Sequence, residues 1–290
     1  MGGHERRLRF GYFLRPEADA PLLDIARRAD RYGLDLLGIQ DHPYRPRSVD
    51  AHSLMAAVLG ATKRIRVFPA VSCLPLRPPA LLAKAMATLD LVSGGRVDLG
   101  LGAGASRDGI EAYGGPSLTA GEARTALEEA VLVIRSLWDG DRGVHFHGEH
   151  YRLAGAVPGP VPAHPVGVWL GVTGNRSLEL AGRVADGWIA SSASVPLGRL
   201  VEAQRRIDEA ARYTGRDPAE IRRIYILDGS SGLVGGDTAR WAGEIAELAL
   251  GCGVDSFLFD GDPEYLETFA LEIVPAVRAT VVRERADASV

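Results

Sequence analysis

The chain has 290 residues, 46% of them hydrophobic, and a formal net charge of −4 at pH 7. This length suits one large domain or two ordinary ones, and the interspersed charges argue against the clustered basic face of a nucleic-acid-binding protein. No signal peptide is seen, no apolar run reaches the roughly 18 residues of a membrane helix, and Cys73 and Cys252 lack metal or redox spacing. We therefore expect a cytoplasmic protein whose partner is a small molecule rather than a nucleic acid or a membrane.

Eight short apolar runs predict β-strands, and several are continuously apolar, as buried parallel strands are. They are Leu8–Leu14, Leu36–Gln40, Ile65–Ser72, Arg96–Gly102, Val166–Gly171, Gly187–Ala190, Ile221–Leu227 and Ser256–Asp260. Amphipathic segments between them predict helices, and the clearest follows Thr119, which forms a capping box with Glu122. The predicted helices cover Pro21–Tyr32, His52–Ala61, Pro79–Val92, residues 120–139, Arg176–Ala185, Pro196–Tyr213, Asp237–Leu250 and Pro263–Ala279.

Strand–helix units that repeat about eight times in under 300 residues favour a (β/α)8 TIM barrel, an α/β fold. A doubly wound open sheet is the alternative. We expect one domain over residues 1–290, with a short insertion at about residues 140–165 between the fourth helix and the fifth strand. Alternation of apolar and polar side chains at residues 144–151 predicts a small hairpin in this insertion.

Residues 81–104 are the most informative stretch of the chain. They predict a helix, a two-glycine turn and a strand that ends in alternating glycines. Because glycine has no Cβ, Gly100, Gly102 and Gly104 let a ligand approach the main chain closely. Since the carboxyl ends of barrel strands carry the chemistry, this stretch predicts a ligand site at that end.

Two other strand ends carry candidate chemistry. His42 follows the second strand, and it is a candidate for proton transfer because histidine titrates near neutrality and Asp41 can tune it. The alternative for His42 is a hydrogen bond in the barrel mouth without proton transfer. Thr173, Gly174 and Asn175 open the helix after the fifth strand, where free N–H groups and the helix dipole suit a phosphate. An ordinary N-cap with a tight turn explains the same residues.

Histidines are concentrated in the insertion, where His145, His147 and His150 lie in the predicted hairpin and His164 follows it. Such a group is a candidate metal site. No acidic or cysteine partner stands at ligand spacing, so we interpret these residues as a solvated hairpin and expect no metal. The chain also has no GxGxxG after its first strand, no Walker loop and no GxSxG elbow. Dinucleotide-binding Rossmann proteins, P-loop NTPases and α/β-hydrolases therefore lose support.

Three parts of the chain combine into an ordered set of motifs. They are Gln40–Tyr44; Leu74–Ala80 with Ser93–Val97 and Gly100–Gly104; and Pro165–Gly171 with Leu180–Trp188. In this order they resemble the bacterial luciferase-like family of flavin- and deazaflavin-dependent oxidoreductases. The resemblance covers most of residues 10–190, and residues 191–290 add only the remaining barrel units.

The resemblance implies a barrel, usually dimeric, that binds an isoalloxazine-type ring at the carboxyl ends of the strands. It implies a non-prolyl cis peptide between Ala70 and Val71 behind the ring, and a cofactor phosphate at Thr173 and Gly174. On this basis the expected cofactor-binding residues are Asp41, Ala70, Val71, Ser72, Gly102, Gly104, Ala105, Gly171, Val172, Thr173, Gly174 and Asn175. The compact chain and the start of the helix after the fifth strand favour coenzyme F420, and FMN is the other candidate.

The resemblance also bears on catalysis. In the sugar-phosphate dehydrogenase branch of the family, a histidine at the position of His42 is the catalytic base, and a glutamate after the glycine turn is the acid. Here Ala105 stands at the place of that glutamate, and no lysine occupies the phosphate-contact position near Ser194. The sequence therefore assigns His42 as the candidate catalytic residue and disfavours sugar-phosphate oxidation.

The leading hypothesis is an enzyme, a luciferase-like oxidoreductase that uses reduced F420 or FMN. It transfers hydride to a small organic substrate or, with FMN, activates oxygen for monooxygenation. One alternative is a barrel that binds the flavin without catalysis. The least favoured alternative is a metal-dependent hydrolase that uses Asp41, His42, His52 and the hairpin histidines.

Overall fold

Parallel strands that curl into a barrel form the centre of the molecule. The computed structural model describes residues 7–140, 142–229 and 237–287. The strands in these ranges are β1 (Arg9–Leu14), β2 (Leu36–Ile39), β3 (Arg66–Pro69), β4 (Ser72–Cys73), β5 (Leu99–Gly102), β6 (Val144–His147), β7 (Arg152–Ala156), β8 (Val168–Gly171), β9 (Gly187–Ser191), β10 (Arg222–Asp228) and β11 (Ser256–Asp260). Nine of them form one sheet in the order β3-β2-β1-β11-β10-β9-β8-β5-β4, and β6 and β7 form a separate antiparallel pair.

The third barrel strand is broken into two pieces, β3 and β4. The peptide bond between Ala70 and Val71, which separates them, is cis, as the resemblance implies. β4 pairs with β5, and Val67 of β3 forms a parallel bridge with Val97, so the two ends of the sheet meet. Nine strand segments thus make the eight strands of a closed barrel, which confirms the predicted fold class.

Helices surround the barrel. They are α1 (Leu22–Arg31), α2 (Ala51–Ala61), α3 (Pro79–Ser93), α4 (Arg107–Ala112), α5 (Ala120–Asp139), α6 (Asn175–Val184), α7 (Leu197–Tyr213), α8 (Thr238–Gly251), α9 (Leu266–Thr268) and α10 (Val274–Asp287). The capping box predicted at Thr119 and Glu122 is present at the start of α5. No helix of the described ranges is long and apolar enough to cross a membrane.

Two helical segments differ from the prediction. The short α4, capped by Ser106, was not predicted because one turn and a half has too few residues for a periodic pattern. The single helix predicted over Pro263–Ala279 is instead a 3-10 turn, α9, a π-helical segment at Phe269–Ile273, and α10. Pro275 lacks an N–H group, so the preceding turn widens where the regular hydrogen-bond pattern is interrupted.

The barrel has two hydrophobic layers. Phe13, Phe68, Trp169 and Ile224 fill its interior, and a larger cluster lies between the strands and the helices. Inward-facing positions alternate along each strand, as in other barrels. This packing holds the strand ends in place around the candidate site.

The insertion contains the predicted hairpin, formed by β6 and β7. Glu129 of α5 holds it, since its carboxylate accepts hydrogen bonds from the backbone N–H groups of Glu149 (2.6 Å), His150 (2.9 Å) and Tyr151 (3.0 Å). Although burial by itself would raise the pKa of Glu129, these three donors outweigh that effect and lower the pKa. The charged carboxylate thus anchors the insertion to the barrel.

Candidate active site at the carboxyl ends of the strands

A cavity of about 750 Å³ opens at the carboxyl ends of the barrel strands. This volume is typical of small-molecule sites. The expected site residues that line it are Asp41, His42, Ala70, Val71, Ser72, Gly102, Gly104, Ala105, Gly171, Val172, Thr173 and Gly174. Asn175 is the first residue of α6; its side chain is exposed and lies outside the lining, so its backbone N–H is the group that can face the cavity.

Val71 forms the floor of the cavity beside the glycine-rich strand β5. A Cβ on Gly102 would lie 2.5 Å from Cγ2 of Val71, and a Cβ on Gly171 would lie 2.8 Å from its Cγ1. The Cβ position of Gly100 is occupied by the carbonyl oxygen of Pro69. Gly100 and Gly102 therefore make room for the broken strand, and of these two only Gly102 also lines the cavity. The expectation that a ligand lies against Gly100 is therefore corrected, because the carbonyl of Pro69 takes that place.

Gly104 differs from those two glycines because its backbone needs glycine. Its φ of +95° lies in the left-handed region, and a Cβ there would also meet Cδ1 of Ile110 in α4. The turn after β5 can therefore approach the cavity closely before α4 begins. Sequence reasoning located this turn correctly and missed the helix that follows it.

Asp41 is buried, and its carboxylate is held by other parts of the protein. Arg77 donates two hydrogen bonds to it, at 2.7 and 2.8 Å, and the backbone N–H of Cys73 donates a third at 3.0 Å. Arg77 also donates to Asp50, the N-cap of α2, at 2.6 Å. Asp41 thus connects the end of β2 to β4 through its carboxylate. Among the described residues, no hydrogen bond is formed between Asp41 and His42.

Asp41, Asp50 and Arg77 form a cluster in which each charged group stabilises the charged form of its partner. Partial burial raises the pKa of Asp50, but hydrogen bonds from Arg77 and Ser53 outweigh it and lower the pKa to about 2. Burial by itself would lower the pKa of Arg77, whereas Asp41 and Asp50 together raise it well above its usual range. The guanidinium is therefore permanently charged and lies between two carboxylates.

His42 is half-buried at the cavity and is held by a neighbouring tyrosine. Its Nδ1 lies 2.8 Å from the hydroxyl of Tyr44, which leaves Nε2 as the ring nitrogen open to a ligand. Burial, and then the charge of Arg45, lower the pKa of His42 below its usual value, while Asp41 opposes this shift. His42 is therefore neutral at pH 7 and able to accept a proton. The role of Tyr44 was missed, although it stands two residues away in the same motif.

His52 lies behind the cavity wall, with its Nε2 3.1 Å from the hydroxyl of Ser72. Burial, and then the charge of Arg77, lower its pKa to about 4, so it is neutral. Asp41, Asp50 and His52 are close enough to share a metal ion, but the Arg77 guanidinium bonds to both carboxylates. A cation at this position would have to displace it.

The insertion histidines lie away from this cluster. His145 and His147 are exposed on the hairpin. His164 contacts Asp90 (2.9 Å) and Arg66, beside the amino-terminal ends of β3 and β5. These positions give no support to the metal-hydrolase hypothesis.

The amino-terminal end of α6 faces the cavity without a side-chain cap. Gly174 is its N-cap and has no side chain to offer, so the first N–H groups of the helix, which have no partner within it, point outward. Thr173, Gly174 and Ser177 line the cavity. This arrangement suits an anion, because these donors and the helix dipole favour negative charge there.

Charged residues that the sequence did not single out complete the rim. Arg15 pairs with Asp260 at 2.7 Å and reaches Asp228 at 3.4 Å. Arg124 of α5 also lines the cavity, and within the described ranges no carboxylate lies within 4.0 Å of it. No sequence signal identifies these residues, because each becomes a rim residue only when the barrel closes.

Comparison with known proteins identifies the class. Residues 8–228, more than half of the chain, match the luciferase-like monooxygenase family. An F420-dependent glucose-6-phosphate dehydrogenase of Amycolatopsis mediterranei is 33% identical over 249 residues, which are 81% of this chain and 74% of that protein. One from Nakamurella multipartita is 35% identical over 198 residues, which are 65% of this chain and 58% of that protein.

Solved structures share the fold. An F420-dependent secondary alcohol dehydrogenase in complex with an F420–acetone adduct has a TM-score of 0.82 at 24% identity, covering 94% of this chain and 99% of that one. The oxygenating constituent of 3,6-diketocamphane monooxygenase from Pseudomonas putida, in complex with FMN, has a TM-score of 0.72 at 19% identity, covering 93% and 98%. The fold and the relatives define a barrel oxidoreductase. The chain belongs to the luciferase-like monooxygenase family.

Proposed function

We propose that the cavity at the carboxyl ends of the strands binds coenzyme F420 and that the enzyme transfers hydride between F420 and a small organic substrate. The observation that carries the proposal is that the uncapped end of α6 opens into the same cavity as the apolar floor at Val71. A phosphate and a flat ring of one cofactor can thus be held together. The F420-dependent relatives from Amycolatopsis and Nakamurella support F420 over FMN.

Each part of the cofactor has a candidate position. Backbone N–H groups at Gly174 and the start of α6 would hold its phosphate. Val71 would support the ring from below, and the turn at Gly104 would lie along its edge. These residues would orient F420 and exclude water, and the cofactor would supply the hydride acceptor or donor.

His42 is the proposed proton acceptor. In the oxidation direction, Nε2 of His42 would accept the proton of a substrate hydroxyl. The hydride on the carbon that bears the hydroxyl would go to the oxidised cofactor, and a carbonyl product would remain. A neutral imidazole is required for this step, and the lowered pKa of His42 supplies it at pH 7. Tyr44 positions the ring through Nδ1.

The proposed substrate is a small organic molecule other than a sugar phosphate. Ala105 contributes no acid to the lining, where the sugar-phosphate dehydrogenases are expected to have a glutamate. Ser191 and Ser194 lie in the region expected to carry a phosphate-binding lysine, and their hydroxyls bond to each other at 2.8 Å. Neither feature offers the charge that a phosphorylated sugar needs there.

The usage of cysteine favours a location in the cytoplasm, which is also part of the proposal.

The enzyme is further proposed to be a homodimer. Large apolar side chains are exposed on α3, at Leu81 and Val92, and on the neighbouring insertion, at Val157 and Val161. Lys84 of α3 bonds to the carbonyl of Gly159, which joins the two parts of this surface. Light scattering tests the proposal: we expect a dimer for the natural protein, and a monomer for Leu81→Glu.

Titration of the purified protein with F420 and, separately, with FMN tests the cofactor. We expect F420 to bind more tightly. The Thr173→Glu variant places a carboxylate at the end of α6 and should weaken F420 binding at least about tenfold through charge repulsion. Thr214→Glu, an exposed change directly after α7, is the matched control and should bind as the natural protein does.

The outcomes separate the hypotheses. Tighter binding of FMN than of F420 would instead support an FMN-dependent monooxygenase. Binding of F420 without turnover of any alcohol or carbonyl substrate would favour the non-catalytic barrel. Binding of neither cofactor, or an unchanged affinity in Thr173→Glu, would refute the proposed site.

A further inference from the structure

A second cavity, of about 410 Å³, opens at the amino-terminal ends of the strands, opposite the candidate active site. Among the residues that the structure describes, its charged lining consists of one carboxylate, that of Asp35, and five arginines: Arg7, Arg9, Arg64, Arg66 and Arg222. We call it the arginine cavity. This concentration of positive charge contrasts with the net charge of −4 of the whole chain.

The barrel geometry brings these arginines together. Arg9, Arg66 and Arg222 are the first residues of β1, β3 and β10. Each lies an even number of positions before an interior side chain of its strand, as Arg9 does before Phe13, so all three are on the inward-facing side. They form the last layer of the barrel interior, below the apolar layer that contains Trp169.

Two of these three guanidinium groups have carboxylate partners. Arg66 donates to Asp98 at 2.9 Å and to the carbonyl of Gly95 at 2.7 Å. Arg222 donates to Asp255 at 3.1 Å and to the hydroxyl of Ser256 at 3.2 Å. Their charges are therefore balanced within the protein.

The outer arginines are also engaged. Arg64 donates to the carbonyl of Asp30 at 2.6 Å. Arg7, whose side chain is 79% exposed, lies 3.6 Å from Asp35. That carboxylate already accepts from the N–H of Phe10 and from Arg278. Asp35 is thus not free to neutralise another group.

Arg9 differs from Arg66 and Arg222 because it has no carboxylate partner among the described residues. Arg64 also has none there, but Arg64 is exposed to water, whereas Arg9 is not. Within residues 7–140, 142–229 and 237–287, no carboxylate lies within 4.0 Å of the Arg9 guanidinium, and the group is half-buried. Burial, and then the charge of Arg222, lower its pKa, while Asp98 offsets part of this shift. A charge removed from water without a partner costs free energy, which an anion from solution would recover.

We propose that the arginine cavity is a binding site for a phosphoryl group, in which the guanidinium of Arg9 is the principal donor. Arginine presents a planar fork of N–H donors that matches the oxygens of phosphate. The volume lies within the range of small-molecule sites, so both inorganic phosphate and a small phosphorylated molecule fit the same chemistry. The site is separate from the cofactor phosphate proposed at α6.

Thermal unfolding in phosphate, compared with chloride at equal ionic strength, tests the proposal. Ligand that binds the folded state raises Tm, and we expect a rise of about 2–4 °C for the natural protein at saturating phosphate. Arg9→Met should lose most of this rise, and in chloride it should be at least as stable as the natural protein because an unpaired charge is removed. Arg240→Met, an exposed arginine outside the cavity, is the control and should keep the rise.

Two further variants make the test independent of one substitution. Arg7→Met, at the exposed rim, should fold normally and reduce the rise. Thr173→Glu should keep the difference between the natural protein and Arg9→Met, because it affects only phosphate bound at α6. Glycerol 3-phosphate, tested in the same way, distinguishes a site for phosphorylated molecules, which it would stabilise at lower concentration, from a site for inorganic phosphate.

Three results would overturn the proposal. One is the absence of a rise in the natural protein, and another is an equal rise in the natural protein, Arg9→Met and Arg7→Met. The third is a loss of stability in chloride on Arg9→Met without any effect of phosphate, which would mean that a carboxylate of the chain itself neutralises Arg9.

Discussion

Substitution of Arg77 by methionine is expected to destabilise the barrel strongly. Methionine keeps much of the aliphatic length but removes the charge that faces Asp41, whose side chain is only 1% exposed. Two of the three hydrogen bonds to the Asp41 carboxylate are lost, and only the one from Cys73 remains. The Asp41 charge then lies buried without an opposite charge.

The size of the effect follows from burial. Loss of one partner of a buried ion pair costs about 3–5 kcal/mol. The second contact of Arg77, to Asp50, adds little, because the Asp50 side chain is 43% exposed and is screened by solvent. We therefore expect Arg77→Met to lose about 3–5 kcal/mol in free energy of unfolding, nearly all of it from Asp41.

Urea denaturation followed by far-ultraviolet circular dichroism measures this loss. The double variant Asp41→Asn/Arg77→Met is the control, because the asparagine carries no charge and still accepts from Cys73. It should be more stable than Arg77→Met alone. A loss below about 1 kcal/mol, or a double variant no more stable than the single one, would refute the idea that Arg77 balances a buried charge.

The other predictions concern the floor, the proposed base and the insertion. Gly102→Ala places a Cβ 2.5 Å from Val71 and should cost about 1–3 kcal/mol in unfolding experiments and weaken F420 binding; a neutral effect would contradict the packing. His42→Ala should lower kcat about 100-fold or more, and the natural enzyme should stay active below pH 6.5 because the pKa of His42 is lowered; an unchanged rate and pH profile would exclude it as the base. Glu129→Gln weakens the anchor of residues 149–151 and should speed proteolysis there, whereas an unchanged cleavage rate would mean that other contacts hold the hairpin.

The sequence by itself determined the architecture and the family. Apolar runs and amphipathic segments report directly which face of each element is buried, so eight strand–helix units and the hairpin at residues 144–151 were predictable. It was also predictable that His42, the glycine turn and Thr173 would line one cavity, because all three stand directly after strands. Apolar periodicity and the position of a residue after a strand depend only on neighbours along the chain and on the connections between strands.

Only the tertiary structure decided what these residues contact. Asp41 precedes His42 in sequence, yet its carboxylate is taken by Arg77, which lies 36 positions further along. Gly102 makes room for Val71 rather than only for a ligand, because the broken third strand turns that side chain toward β5. Local periodicity reports that a side chain faces inward, but it does not report which other side chain it meets.

The arginine cavity shows the same limit at the opposite end of the barrel. Arg9, Arg66 and Arg222 are separated by most of the chain, and each is an ordinary residue at the start of a strand. Closure of the barrel places them in one layer, where Asp98 and Asp255 balance two of the three charges. Charge balance in a buried layer is a property of contacts between strands, and therefore only the folded barrel distinguishes Arg9 from the other arginines.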